Sequence, residues 1–425
     1  MAKRENLPPT SIEQALKIAA RFDIAEPIKV RDFTCKGNIN KDTFLILAGP
    51  QHRRQEYLLQ LLNPEVFTRP QAVMDAMYCC IQAQEKALSQ GILGQDDEWE
   101  PIRLIHTKAG GRYLQLLSRG KFRCWRMMRK ISNVCCYKNL RRVPDASQRL
   151  RIAEQAGRGL ALFGILTAGI DATTIACPLP GYRDTRLYYD QLMSVLAGCR
   201  TGQEAKAFLP AGSEVRASTE RHFLVHIPLR EYKRRLTDPQ VRPLIELALE
   251  EKHFALTLQE ELQQGKLKKV VIHGDTKLEN FLFSSISGKV KALVDLDTVM
   301  AHTWLSDWGD LARSLVNTAG ETERDPDKIE IDLEILKALA QGFLGSARFL
   351  DSYEVGLMPE AVQIMALELG VRFLADYLRG DTYFKISPGQ PPDLNKTRAM
   401  VQFALFRKLR TKAVDARRCI EQASN

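Results

Sequence analysis

The sequence predicts an α+β chain of two lobes, a small β-rich N-terminal lobe and a larger helical C-terminal one. Two observations carry that expectation. Up to about residue 123, much of the apolar content falls in short runs separated by turn-forming clusters, the pattern of hairpins. From about Arg149 onward it recurs at three- and four-residue spacings, the pattern of amphipathic helices, with three short apolar runs embedded among them. At 425 residues the chain also exceeds the length that one hydrophobic core usually organises.

The elements follow in order. Ser11 is placed to cap a first helix, with Glu13 in its first turn and Ile12, Ala15, Leu16, Ile18 and Ala19 along one face. The apolar runs Asp42–Ala48 and Glu56–Leu62 flank a polar turn and predict a hairpin. Residues 71–90 predict a helix ended by Gly91, and Ile102–His106 and Tyr113–Leu117 predict two strands around Gly110 and Gly111. A lobe boundary is expected at 124–132, leaving 1–123 as the first lobe and 133–425 as the second. Helical periodicity then covers Arg149–Thr167, Tyr188–Leu196, Arg242–Gln264, Ile331–Ala347 and Pro359–Leu378. Strands are expected at Lys269–Ile272, Asn280–Phe283 and Val290–Asp295.

Composition excludes several classes. Hydrophobic residues make up 45% and charged residues 26%, as in ordinary globular proteins. No apolar run approaches the roughly 18 residues of a membrane span, and the N-terminal residues lack the apolar stretch of a secretory signal. Nine cysteines, none at CxxC spacing, suit buried thiols in a reducing compartment. A cytoplasmic location is expected, without a membrane partner. The net charge of +10 is spread along the chain without aromatic interleaving, so an anionic small ligand is expected rather than a nucleic acid.

The chemistry concentrates between His273 and Asp297. An apolar strand delivers His273-Gly274-Asp275 into a loop, and Asn280 follows five residues after Asp275 as the next strand begins. A hairpin return then brings Asp295 to the end of another apolar strand. One carboxylate to orient a hydroxyl and take its proton, with an amide oxygen and a second carboxylate to hold Mg²⁺ on ATP phosphates, is what phosphoryl transfer requires. Three turn or cap residues would be the ordinary explanation for each position alone. Their order between apolar strands favours the chemical one.

The HGDxxxxN pattern followed by an apolar strand and Asp resembles the aminoglycoside phosphotransferase and choline kinase superfamily, whose fold is protein-kinase-like and bilobal. The resemblance implies a catalytic base at Asp275, a supporting role for His273, and metal ligation by Asn280 and Asp295. It also implies that Asp310, in Asp307-Trp-Gly-Asp310, braces the catalytic loop. HGDTKLENFLF with VDLDTVMAHTWLSDWGDLAR is similar to the N-acetylhexosamine 1-kinase branch, as are Gly37–Thr43, Tyr57–Asn63, Gly181–Thr185 and Arg372–Phe384. That implies ATP and Mg²⁺ as cofactors and transfer of the γ-phosphoryl group to a sugar hydroxyl, for instance the anomeric hydroxyl of an N-acetylhexosamine.

Three departures bear on the finer expectations. Gly274 stands where the branch often has Asn, and Tyr182-Arg183 where it has Phe-His, so the sugar differs in expectation. Gln60 occupies the place of the phosphate-clamping Lys found in many relatives, and Lys36, Lys41 or Arg54 would supply charge instead. Kinases of choline, homoserine or an aminoglycoside, and a non-catalytic nucleotide-binding pseudokinase, stand as alternatives. Further candidates are Gly37, Asn38, Thr43, Met127 and Met128 for ATP, and Arg183, Asp184, Asp297 and Arg372 for the acceptor. His302 and Trp304 are expected to border the same cleft or to anchor its loop.

Overall fold

The computed structural model describes residues 10–34, 39–40, 42–118, 121–347 and 349–424. Five strands, β1 (Ile28–Asp32), β2 (Thr43–Ala48), β3 (Gln55–Leu61), β4 (Leu114–Ser118) and β5 (Lys121–Arg129), form an antiparallel sheet in the order β1-β2-β3-β5-β4. The β2–β3 hairpin runs from Ala48↔Gln55 to Thr43↔Gln60. Strand alternation sends Tyr57, Leu59 and Leu61 to an outer core with Trp125, Met127, Ala15, Ala19 and Phe22. The intervening Leu58 and Gln60 face the other way.

The first helix, Ile12–Ala19, opens with a capping box in which Ser11 and Gln14 exchange hydrogen bonds, while Glu13 pairs with Lys17 at 2.7 Å. Pro70 starts the helix Pro70–Ser89, where a missing N–H costs nothing. The run Ile102–His106 is not a strand of its own. β4 pairs only with the first half of the nine-residue β5, and residues 103–105 continue that edge irregularly, with Ile105 N–H donating to Met127 O at 2.8 Å. Residues Cys124–Arg129 lie within β5, and the crossing to the helical lobe follows at 130–133.

The helical lobe is built around Met358–Arg379, buried along most of its length between Trp304–Val316 and Leu394–Thr411. Ala146–Thr167 packs on Leu333–Leu344 through two glycines. A Cβ on Gly157 would lie 2.1 Å from Leu339 O, and one on Gly342 would lie 1.8 Å from Glu154 O, so the helices touch backbone to backbone. The expected single helix Arg242–Gln264 is two, Arg242–Glu250 and Lys252–Gln263, broken at Glu251 (φ −90°, ψ 9°).

Embedded in this lobe are β6 (Val134–Cys135), β7 (Val270–Ile272), β8 (Phe281–Ser284), β9 (Val290–Leu293) and β10 (Met300–His302). β6, β8 and β9 form one small sheet, and β7 pairs with β10. No helix among the described residues is long and apolar enough to cross a membrane.

Candidate active site

The loop after β7 is held from behind by one carboxylate. Asp307, in the helix Trp304–Val316, accepts from His273 N–H at 2.6 Å and from Gly274 N–H at 2.8 Å. Its backbone oxygen accepts from Thr276 Oγ1 at 2.7 Å. Burial pushes the Asp307 carboxyl up to about 7, against the pull of those amide donors. Gly274 has φ +84°, and a Cβ there would lie 2.5 Å from Thr298 O, so glycine is required in this packing.

His273 is fully buried. Its Nε2 donates to Val294 O at 2.9 Å and its Nδ1 accepts from Asp275 N–H at 3.3 Å, which assigns the neutral Nε2–H tautomer. Burial holds its pKa below the ordinary histidine value in the same sense. The imidazole thus ties the loop that follows β7 to the end of β9.

Asp275 presents a side chain 30% exposed. Lys277 Nζ sits 3.0 Å from its Oδ2 and 3.3 Å from Glu279 Oε1. Burial opposes the lysine's charge, but Asp275, Asp295 and Glu279 outweigh it and hold its pKa above the ordinary value. Asn280, buried, donates Nδ2 to Asp275 O at 2.8 Å, which turns its Oδ1 away from that bond and leaves it available.

The strand expected to reach Asp295 stops at Leu293. Asp295 adopts left-handed backbone (φ 68°, ψ 56°), and Asp297 sits in the short turn Leu296–Thr298, so the two do not share a strand face. Burial first, then the neighbouring Asp297 and Asp275, raises the Asp295 carboxyl to about 7. A carboxylate so crowded by negative charge gains from a nearby cation. Asp295 and Asn280 each carry a hard oxygen of the kind Mg²⁺ takes.

Above this loop lies a closed polar ring. Asn40 Nδ2 donates to Asp297 Oδ2 at 2.7 Å, and Arg126 Nη1 lies 2.5 Å from Asp297 Oδ1. Arg126 also donates Nε and Nη2 to Gln60 Oε1 at 3.0 and 2.5 Å. Gln60 Nε2 reaches Thr43 Oγ1 at 3.2 Å, and Thr43 returns to Asn40 O at 2.7 Å. Thr43, Gln60 and Arg126 are directly cross-strand on β2, β3 and β5, which is why they meet.

Arg126 is 1% exposed and was not among the expected site residues. Arg54, offered for that charge, lies exposed at the far end of the hairpin. Lys36 and Lys41 fall outside the described residues, as do Gly37 and Asn38.

The remaining candidates divide. Arg183 is buried and committed, pairing with Asp310 at 2.6 Å and Glu368 at 3.4 Å and donating to Gly274 O at 2.8 Å. Asp310 thus reaches the catalytic loop through Arg183. Burial opposes its charge, yet Arg313 and Arg183 hold it well below the usual carboxylate range. Asp184 caps the helix Thr185–Leu196 and accepts from Gln259, away from Asp275.

Arg372 lies among aromatic rings, its guanidinium carbon 4.7 Å from the centre of Tyr188, 5.3 Å from Tyr182 and 5.6 Å from Tyr383. Tyr182 O–H donates to Gly274 O at 2.8 Å, which joins this cluster to the catalytic loop. Buried Asp376 orders the cluster's outer loop by accepting from the N–H groups of Thr382, Tyr383 and Phe384. On β5, Met127 points into the outer core with Trp125, whereas Met128 shares the Arg126 face. Trp304 packs on Phe343 in the core, and His302 bonds Ser306, its pKa pushed down to about 4 by burial.

The model of the phosphotransferase enzyme family matches residues 114–330, just over half of the chain. A solved microcompartment-associated aminopropanol kinase is similar at 12% identity and a TM-score of 0.54, covering 96% of this chain and 98% of that one. An ethanolamine kinase of Plasmodium vivax is similar at 10% identity and a TM-score of 0.45, covering 90% and 84%. An ADP-bound aminoglycoside phosphotransferase gives 11% and 0.43, covering 93% and 97%. The chain belongs to the phosphotransferase enzyme family, and its small antiparallel sheet joined to a larger helical part is the fold of that aminopropanol kinase.

Proposed function

From that membership we propose that the protein transfers the γ-phosphoryl group of ATP to the hydroxyl of a small molecule bound beside Asp275. The observation that carries this is the convergence on Asp275. Its partly exposed carboxylate has Lys277 at 3.0 Å, its backbone oxygen accepts from Asn280 Nδ2 at 2.8 Å, and its loop is pinned by Asp307. Asp275 orients the acceptor hydroxyl and takes its proton. Lys277 offsets negative charge on the phosphoryl group as it passes. Asn280 and Asp295 would hold Mg²⁺, which supplies charge neutralisation at the phosphates when bound.

Arg126 takes over the task left by Gln60. In place of a lysine on β3, a buried guanidinium on β5 sits in the roof of the nucleotide site, where it offsets Asp297 and fixes Gln60. Thr43 and Met128 lie on the same side of the sheet and would border the nucleotide.

For the acceptor we favour an uncharged sugar hydroxyl, of which the anomeric hydroxyl of an N-acetylhexosamine is the specific candidate. Tyr182 and Tyr383, half-buried around Arg372, would border a pyranose ring, with Arg372 as donor. A guanidinium in that position disfavours a cationic acceptor. An amino alcohol is the second candidate, because the structure of similar fold is named an aminopropanol kinase.

ATP consumption with Mg²⁺ across N-acetylhexosamines, simple hexoses, choline, homoserine, aminopropanol and kanamycin separates them. Turnover with an N-acetylhexosamine is expected. Turnover confined to the amines would replace the sugar assignment, and no turnover beside intact ATP binding would support a non-catalytic role.

A further inference from the structure

Behind the catalytic loop lies a cavity of about 220 Å³ that the proposed reaction does not use. Its walls are Phe163 and Thr167 of the helix Ala146–Thr167, Val271 of β7, Trp304, Phe343 and Phe349. Asp307, whose carboxylate accepts from His273 and Gly274, forms part of the same wall, so the cavity and the catalytic loop stand back to back.

Two of the lining groups are unmatched. Glu354 is 1% exposed, and among the described residues neither of its carboxylate oxygens has a hydrogen-bond partner. The indole N–H of Trp304, itself 6% exposed, has none either. A buried carboxylate without a partner is among the costliest arrangements in a protein interior. Its retention in an otherwise largely apolar cavity is explained if a ligand supplies the cation. The nearest described lysines in the lining, Lys268 and Lys269, are exposed, and Lys268 is paired with Asp351 at 3.6 Å.

We propose that this cavity is a binding site for a small primary amine with a compact apolar body, its ammonium against Glu354 and its body among Phe163, Phe343 and Phe349. An ammonium suits the site because it donates to both acceptor oxygens and its charge offsets that of a buried carboxylate. The body must be apolar because the rest of the wall offers rings and aliphatic groups. The site does not depend on which alcohol the enzyme phosphorylates.

Calorimetric titration of the full chain, without nucleotide, tests it with phenethylamine, 2-phenylethanol and phenylacetate as probes. Phenethylamine is expected to bind at least tenfold more tightly than the alcohol, and phenylacetate not at all. Glu354→Gln should lower the amine affinity to that of the alcohol while the protein unfolds at the same or a higher temperature, since an unpaired buried charge has been removed. Thr167→Leu, which fills the cavity, should weaken both amine and alcohol. Asp275→Asn should leave the amine affinity unchanged, which separates this site from the acceptor site. Equal affinity for amine and alcohol, amine affinity retained in Glu354→Gln or lost in Asp275→Asn, or no binding of the amine would each overturn the proposal.

Discussion

The proposed catalytic loop and the polar ring proposed as the roof of the nucleotide site solve the same problem, holding charge in place, by opposite means. The loop is local. Asp275, Lys277 and Asn280 lie within six residues of one another, and the helix Trp304–Val316 fixes their loop through Asp307 and, by way of Arg183, through Asp310. The roof is assembled from Asn40, Thr43, Gln60, Arg126 and Asp297, residues up to 257 positions apart, in one ring of side chains. A local site tolerates change in its surroundings as long as its backbone is pinned. A ring fails when one member is removed, because each remaining buried group loses its partner.

That contrast sets the size of the expected effects. Arg126→Met leaves Asp297 as a buried, unpaired carboxylate and frees Gln60. It should cost about 3–5 kcal/mol of stability in chemical unfolding and weaken ATP binding. A loss below about 1 kcal/mol, the range of exposed ion pairs, would show that the ring does not hold the lobes together.

Asp307→Asn replaces one of two acceptors by a donor facing Gly274 or His273. It should cost roughly 1–3 kcal/mol and lower kcat, with ATP affinity unchanged. A matched loss of ATP affinity would mean that the loop and the roof are not separable.

Gln60→Lys sharpens the comparison further. Were the roof simply missing its lysine, this change would improve ATP binding. Beside Arg126 it places a second cation in a buried site, and roughly 2 kcal/mol of destabilisation is expected in the same unfolding assay, with poorer ATP binding. The smallest effect belongs outside both regions. Ser11→Ala removes the capping box of Ile12–Ala19 and should cost about 1 kcal/mol, read as a shift in the unfolding midpoint with turnover unaltered.

The same contrast explains what was legible in the sequence. The loop from His273 to Asn280 could be read as a candidate site because its polar residues are contiguous, and the β2–β3 hairpin because alternation and the turn agree over its length. The roof could not. Gln60 signalled only that a charge would have to come from elsewhere, and the proposed supplier lies in β5, where Arg126 reads as one more basic residue between Trp125 and Met127. Knowing that β3 pairs with β5 in the register Gln60↔Arg126 would have named it. Arg183 and Asp184 looked like acceptor ligands in sequence because nothing local shows that one is engaged by Asp310 and Glu368 and the other by a helix terminus. The left-handed turn at Asp295 was also invisible, since an apolar run ending in Asp reads as a strand end whether or not the strand reaches it.

The most direct test of the account measures Asp275→Asn twice, for turnover with the best acceptor and for ATP affinity in the presence of Mg²⁺. Loss of the general base should lower kcat by about 10²–10⁴-fold, with ATP affinity unchanged within about twofold because the roof is intact. Turnover close to that of the unaltered protein would contradict the central claim that phosphoryl transfer depends on this carboxylate.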